Sequence, residues 1–229
     1  MSRREELAAN LADVETRIAA ACSAAGRDRT EVTLVAVTKT WPLDDCRLLR
    51  DLGVTDLGEN RDQEAADKAA ALDGVRWHFV GNVQTNKAKH VASYADVVHS
   101  VDRERLVTAL GAGAEAAGRT VEVLIQVSLD DDPARGGAPA DAVPALGALV
   151  AGTAGLRLGG VMAVAPLGAD PAAAFARLAD VAARLRADHP RATTISAGMT
   201  GDLEQAVAAG ATHLRVGTAV LGPRPAPLR

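Results

Sequence analysis

Eight short runs rich in Val, Ile, Leu and Thr recur along the chain, and each is followed by a longer, more polar stretch with helical spacing. The runs lie at about 32–38, 55–58, 76–80, 97–100, 121–129, 156–164, 193–197 and 214–220. Helices are predicted at 44–51, 61–72, 102–117, 171–187 and 203–209, with shorter segments at 84–92 and 142–151. Runs such as VTLVAV and VEVLIQV are apolar almost throughout, as strands are when helices cover both faces of a parallel sheet. An open, doubly wound sheet is the rival arrangement. Eight βα units with short connections fit a closed (β/α)8 barrel, a TIM barrel, better, because closure uses that strand number and a chain of about 250 residues. Ahead of the first strand, Leu7, Leu11, Val14, Ile18 and Cys22 recur at intervals of three and four and predict an extra N-terminal helix. The Pro/Gly-rich patches at 130–139 and 222–227 read as a loop and a tail, so residues 1–229 are expected to form one α/β domain.

Composition narrows the partners. Lys plus Arg number 25 against 29 Asp plus Glu, a net charge of −4, and aromatics are 2% of residues. Neither a basic footprint for phosphate backbones nor a set of base-stacking rings is present, which argues against nucleic acid. The two cysteines, Cys22 and Cys46, are too few for a disulfide framework and suit a reducing compartment. The charged N-terminus lacks the apolar stretch of an export signal, and the longest uncharged run, 142–156, is broken by Pro144, Gly147, Gly152 and Gly155. A cytoplasmic protein with no membrane partner is expected.

In a barrel of this kind, chemistry belongs to the C-terminal ends of strands and the loops after them. Lys39 closes the first strand in VAVTKTWP, where burial would lower its pKa and make the amine a nucleophile toward carbonyls; the bland reading has it swing into solvent. Glu59 and Asn60 end the second strand, as a general base or ring partner and as the cap of the next helix, respectively. His78, between Trp77 and Phe79, reads as a packed core histidine, and Asn82, Gln84, Asn86, Lys87 and Lys89 as a solvated face or a pocket wall. After the seventh run come Ser196, Gly198, Met199, Thr200 and Asp202, and after the eighth Gly217 and Thr218. Small residues and hydroxyls at two adjacent βα turns expose backbone N–H groups that can cradle a phosphate. Arg215, in the eighth strand, would address a ring nitrogen or an anion. A phosphorylated carbonyl compound that forms an imine with lysine fits this set, whether pyridoxal 5′-phosphate or a sugar phosphate in an aldolase-like site. The aspartates 130–132 read as a solvated acidic turn, and no metal site is expected.

The motifs VAVTKTWP, LGENRDQE, WHFVGNVQTNK, GVMAVAP and SAGMTGDLEQAVAAGATHLRVGTAVLG, with the final Pro-Arg, resemble the pyridoxal-phosphate homeostasis proteins over about residues 32–224. The resemblance implies a single barrel like the N-terminal domain of alanine racemase, with Lys39 holding the cofactor as an internal aldimine. It also implies that Ser196, Gly198, Met199, Thr200, Gly217 and Thr218 serve the phosphate side, Asn60 and Met162 lie near the ring, and Arg215 faces the pyridine nitrogen. Three positions depart from the family pattern: Asn82 replaces a His, Ala197 a Met and Thr200 a Ser. Arg135 stands where many relatives carry a lysine, and an arginine forms no stable imine, which counts against a second cofactor site in that loop. The function implied is storage or delivery of pyridoxal phosphate to apoenzymes, with amino acids as possible exchange partners and without strong catalysis. The alternative is a racemase-like enzyme. It is weakened because such enzymes draw a second acid/base from an added β domain, and because Tyr94 precedes the fourth strand.

Overall fold

The computed structural model describes residues 1–130 and 136–223, so Asp131, Asp132, Arg135 and Arg224 lie outside the described residues. Helix α1 (Arg3–Ala24) opens with a capping box in which Ser2 Oγ accepts from the Glu5 amide and the Glu5 carboxylate accepts from the Ser2 amide. Its Leu7, Val14, Ile18 and Cys22 are buried, as their spacing predicts, while Leu11 is partly covered.

Eight strands follow: β1 (Thr33–Val37), β2 (Asp56–Glu59), β3 (Arg76–Phe79), β4 (Val97–Val101), β5 (Val121–Gln126), β6 (Leu156–Met162), β7 (Thr194–Ser196) and β8 (His213–Val216). Between them run α2 (Leu43–Asp51), α3 (Asp62–Ala71), α4 (Ala88–Tyr94), α5 (Glu104–Ala116), α6 (Val143–Ala151), α7 (Pro171–Asp188) and α8 (Leu203–Ala208), and α9 (Thr218–Leu221) follows β8. The strands pair in parallel in sequence order, and β8 returns to β1 with Val35 opposite Arg215, which closes the barrel and excludes the open sheet.

Three boundaries differ from the sequence reading by three residues or more. The eighth run was expected to continue to residue 220, but the strand stops at Val216 and α9 buries Val220 and Leu221. A short apolar run satisfies strand and helix alike, and here the barrel's end leaves no neighbour for a longer strand. Strand β5 stops at Gln126 instead of 129, because Val127 turns to an isolated bridge with Ala138 and the Ser128 amide donates to the Ala138 carbonyl. The expected helix at 84–92 begins as a 3-10 turn, Thr85–Lys87, before α4.

The main core lies between strands and helices. A second, separate apolar cluster is formed by Val97, Leu124 and Met162 from β4, β5 and β6.

Candidate functional site

At the C-terminal mouth of the barrel, Lys39, Met199, Thr200, Arg215, Gly217 and Thr218 line one cavity of about 460 Å³. Val37, Trp41, Val80 and Val164 supply its apolar wall. Lys39 lies two residues past the end of β1 and is half-buried. The next residue, Thr40, has φ 69°, a left-handed conformation that a β-branched residue adopts only under constraint. The constraint is visible: the Thr40 amide donates to Glu64 Oε1 at 2.7 Å, and the Arg3 guanidinium lies 4.6 Å from the centroid of the Trp41 ring. Larger clefts, about 600 Å³ each, lie beside Ser128 and Arg177 and beside Trp77 and Tyr94, but neither is lined by a lysine.

Two turns form the opposite wall. Gly198 has φ 89°, and a Cβ there would lie 2.5 Å from Ala206 Cβ, so the β7 turn requires glycine. The turns are tied to each other, because the Ala219 amide donates to Thr200 Oγ1 at 3.4 Å and the Arg215 amide to the Gly198 carbonyl at 2.9 Å. The Met199 amide is engaged by Asp202 Oδ1 at 2.6 Å. Among the described residues, the amides of Thr200, Gly217 and Thr218 donate to no protein acceptor, leaving them for a ligand anion. The helices behind them have only six and four residues, so these local amides carry the anion-binding capacity and not a long macrodipole. Helix α1 fastens both turns from outside: Arg17 Nη2 donates to the Thr200 carbonyl, Asn10 Nδ2 to that of Val220 and Arg3 Nη2 to that of Leu221, each at 3.0 Å.

Arg215 is 6% exposed. Its Nη1 donates to Ser196 Oγ at 2.5 Å and its Nη2 to the Ala163 carbonyl at 2.9 Å. Burial pulls the guanidinium down to about 10, with the Asp202 charge opposing. Among the described residues no carboxylate pairs with it directly. A buried cation with neutral partners, facing a cavity, is receptive to an anionic group or to a ring nitrogen's lone pair. With a lysine across the cavity and amides at its side, this donor set fits a phosphorylated aromatic aldehyde.

Other sequence-predicted residues lie apart from the cavity wall. Ser196 is buried one hydrogen bond behind Arg215, and Gly198 shapes the turn through its backbone. Met162 belongs to the apolar cluster with Val97 and Leu124. Asn60 does not cap α3, whose N-cap is Arg61 without a side-chain cap bond. Its backbone is pressed against Gly81, where a Cβ would lie 2.4 Å from the Asn60 carbonyl, and its Oδ1 is a buried acceptor with no protein partner among the described residues. Glu59 Oε1 takes bonds at 2.6 Å from Lys68 Nζ and from Thr38 Oγ1, while its buried Oε2 has no partner among the described residues. His78 is buried, as expected of a core histidine, and Gln84, Asn86, Lys87 and Lys89 are exposed. Tyr94 Oη donates to Asp62, and burial raises its pKa. The sequence reading missed Trp41 and Val80 on the wall and His99, and it named Asp202 without its bond from the Met199 amide. A histidine inside the apolar run VVHSV was the available signal for His99.

Comparison with known proteins agrees with this fold. The family described as "Alanine racemase, N-terminal domain" matches residues 9–225. A protein of Mycobacterium tuberculosis named pyridoxal phosphate homeostasis protein is 44% identical, over 97% of this chain and 94% of its own. The structure of PipY from Synechococcus elongatus with PLP bound superposes with a TM-score of 0.83 at 33% identity, covering 94% of this chain and all of that one. Alanine racemase of Clostridium difficile shares the fold alone, with a TM-score of 0.76 at 12% identity, and this chain covers 58% of it. A barrel closed around a strand-end lysine, a buried arginine and two small-residue turns, with identity at this level over nearly the whole chain, places the protein in the pyridoxal phosphate homeostasis family.

Proposed function

We propose that this chain, as a single barrel domain, takes up pyridoxal 5′-phosphate in the cavity at the barrel mouth, holds it through Lys39, and releases it again without turning over an amino acid. The observation that carries the reading is the meeting of Lys39, buried Arg215 and two amide-bearing turns in one cavity. The names of the relatives and the PLP-bound PipY structure support it. The bound cofactor supplies an aldehyde, on which a reversible imine can form, and a ring that can draw off electrons. Lys39, on the cavity wall, would hold the cofactor by its aldehyde, and the neutral amine is the form that can do so. The amides of Thr200, Gly217 and Thr218, with Thr200 Oγ1, bind the phosphate. Asn60, whose buried Oδ1 has no protein partner among the described residues, and Met162 would lie on the ring side.

Arg215 argues for carriage over catalysis. A guanidinium only donates, so the ring nitrogen it faces stays an acceptor without a proton of its own, and the ring is a weaker electron sink. Tyr94, the chain's one tyrosine, is engaged with Asp62 and does not oppose Lys39 as a second acid. A cofactor held in this way would be open to exchange with amino acids or water, and apoenzymes would be its recipients. The buried thiols Cys22 and Cys46 suit the reducing cytoplasm.

Titration with pyridoxal 5′-phosphate, followed by mixing with a pyridoxal-phosphate-dependent apoenzyme, tests this. One-to-one saturable uptake, affinity at least about tenfold weaker in Arg215→Leu for the loss of a charged hydrogen bond, and recovery of apoenzyme activity are expected. Absence of saturable uptake removes the reading. Steady racemisation of amino acids, abolished in Lys39→Ala, replaces it with the enzyme.

A further inference from the structure

A continuous line of buried polar groups runs behind Arg215 through the barrel interior. Asp56 Oδ1 lies 2.8 Å from His78 Nε2, His78 Nδ1 lies 2.8 Å from His99 Nε2, and His99 Nδ1 lies 3.0 Å from Ser196 Oγ. Ser196 Oγ in turn takes the 2.5 Å bond from Arg215 Nη1. The four linking residues belong to β2, β3, β4 and β7, and His78, His99 and Ser196 are at most 2% exposed.

The direction of every bond follows from one end. A guanidinium has no acceptor, so Arg215 donates to Ser196 Oγ. Among the described residues, the only other partner of that hydroxyl is His99 Nδ1, so the hydroxyl hydrogen goes there and His99 carries its proton on Nε2. That proton points to His78 Nδ1, which leaves His78 with its proton on Nε2, donating to Asp56. This arrangement satisfies each buried donor and acceptor with no imidazolium. The surroundings agree: burial, and then the Arg215 and Arg76 charges, pull His99 well below its ordinary value. Burial pushes Asp56 up, but bonds from His78 and Thr55 outweigh it and hold the carboxylate ionised.

The geometry points to a positioning role for Asp56, His78, His99 and Ser196: a one-way hydrogen-bond chain, with both imidazoles neutral and protonated on Nε2, that orients the Arg215 guanidinium toward the cofactor ring. The chain joins a buried cation to an anion through neutral links, each polarising the next, and with the Ala163 carbonyl it fixes two guanidinium nitrogens. Its role toward the cofactor rests on the proposed function; its proton pattern does not.

Nitrogen-15 NMR of the full chain at pH 7 reads the pattern directly, with and without pyridoxal phosphate. Both His78 and His99 are expected as neutral Nε2–H tautomers. An Nδ1–H tautomer or an imidazolium at either site overturns the chain. In Asp56→Leu, which removes the terminal acceptor, His99 is expected to change tautomer although two links away, and cofactor affinity to fall about tenfold; Asp56→Asn, which keeps an acceptor oxygen, is expected to rescue both. A folded Asp56→Leu with unchanged His99 and unchanged affinity also overturns it. Wild-type chain that shows the tautomers and binds no cofactor would defeat the proposed function and the positioning role, and leave the proton pattern standing.

Discussion

The barrel interior is filled in two different ways. Val97, Leu124 and Met162 make an apolar plug, whereas His78, His99, Ser196 and Arg215 make a polar line of equal burial. Strand β4 contributes to both, with Val97 in the plug and His99, two residues on, in the line. The plug gains from burial whatever its exact orientation, and its members exchange with other side chains of similar volume at small cost. The line is stable only with each bond made, because an unpaired buried donor or acceptor costs about 1–3 kcal/mol. The plug stabilises; the line aims a cation. The two should therefore fail differently when disturbed.

The largest expected effect is on the plug. Leu124→Ala should cost about 2–5 kcal/mol of unfolding free energy by chemical denaturation, while the cofactor dissociation constant stays within about twofold of wild type. A large loss of affinity with intact folding would show that the two fillings are not separable.

Acid acts on the histidines instead. His99 is lowered well below 6.5, and His213 is lowered to about 4, chiefly by burial. Both fold as the neutral form, so the unfolded chain binds more protons once pH drops below 6.5. Stability from these groups is complete above that pH and is lost as pH falls toward the folded values. For His213 the loss reaches about 3 kcal/mol near pH 4, at about 1.4 kcal/mol per unit. Denaturation midpoints should fall between pH 7 and pH 5, and the slope should flatten in His99→Leu. A midpoint independent of pH over that interval would contradict neutral burial.

The smallest effect belongs outside the barrel, on α1. Arg17→Ala removes a bond to the Thr200 carbonyl and an exposed pair with Glu204, and should cost under about 1 kcal/mol of stability and weaken cofactor binding about two- to threefold. Calorimetric titration resolves a change of that size. No change in affinity would mean that α1 covers the turn without holding it.

The same contrast explains what the sequence revealed. Plug and outer core write themselves as periodic apolar runs, which is why eight strands and α1 were legible, and ambiguity appeared where a run was too short to show a period, as at α9. Lys39, Thr200, Arg215, Gly217 and Thr218 were legible because each ends a strand or opens a turn, and closure brought them to one cavity. The polar line was not legible. His78 could be read as buried, but its partners Asp56 and His99 lie about twenty residues away on neighbouring strands, and the pairing depends on barrel register. Asn60 looked like a cap from its place before a helix, yet the close approach of Gly81 turned its backbone to another use.

Borohydride reduction of the loaded chain, followed by peptide mass spectrometry, reads whether Lys39 carries the cofactor. One pyridoxyl group per chain is expected, on Lys39, and none in Lys39→Ala. A label on another lysine, or an equal label in Lys39→Ala, would contradict it.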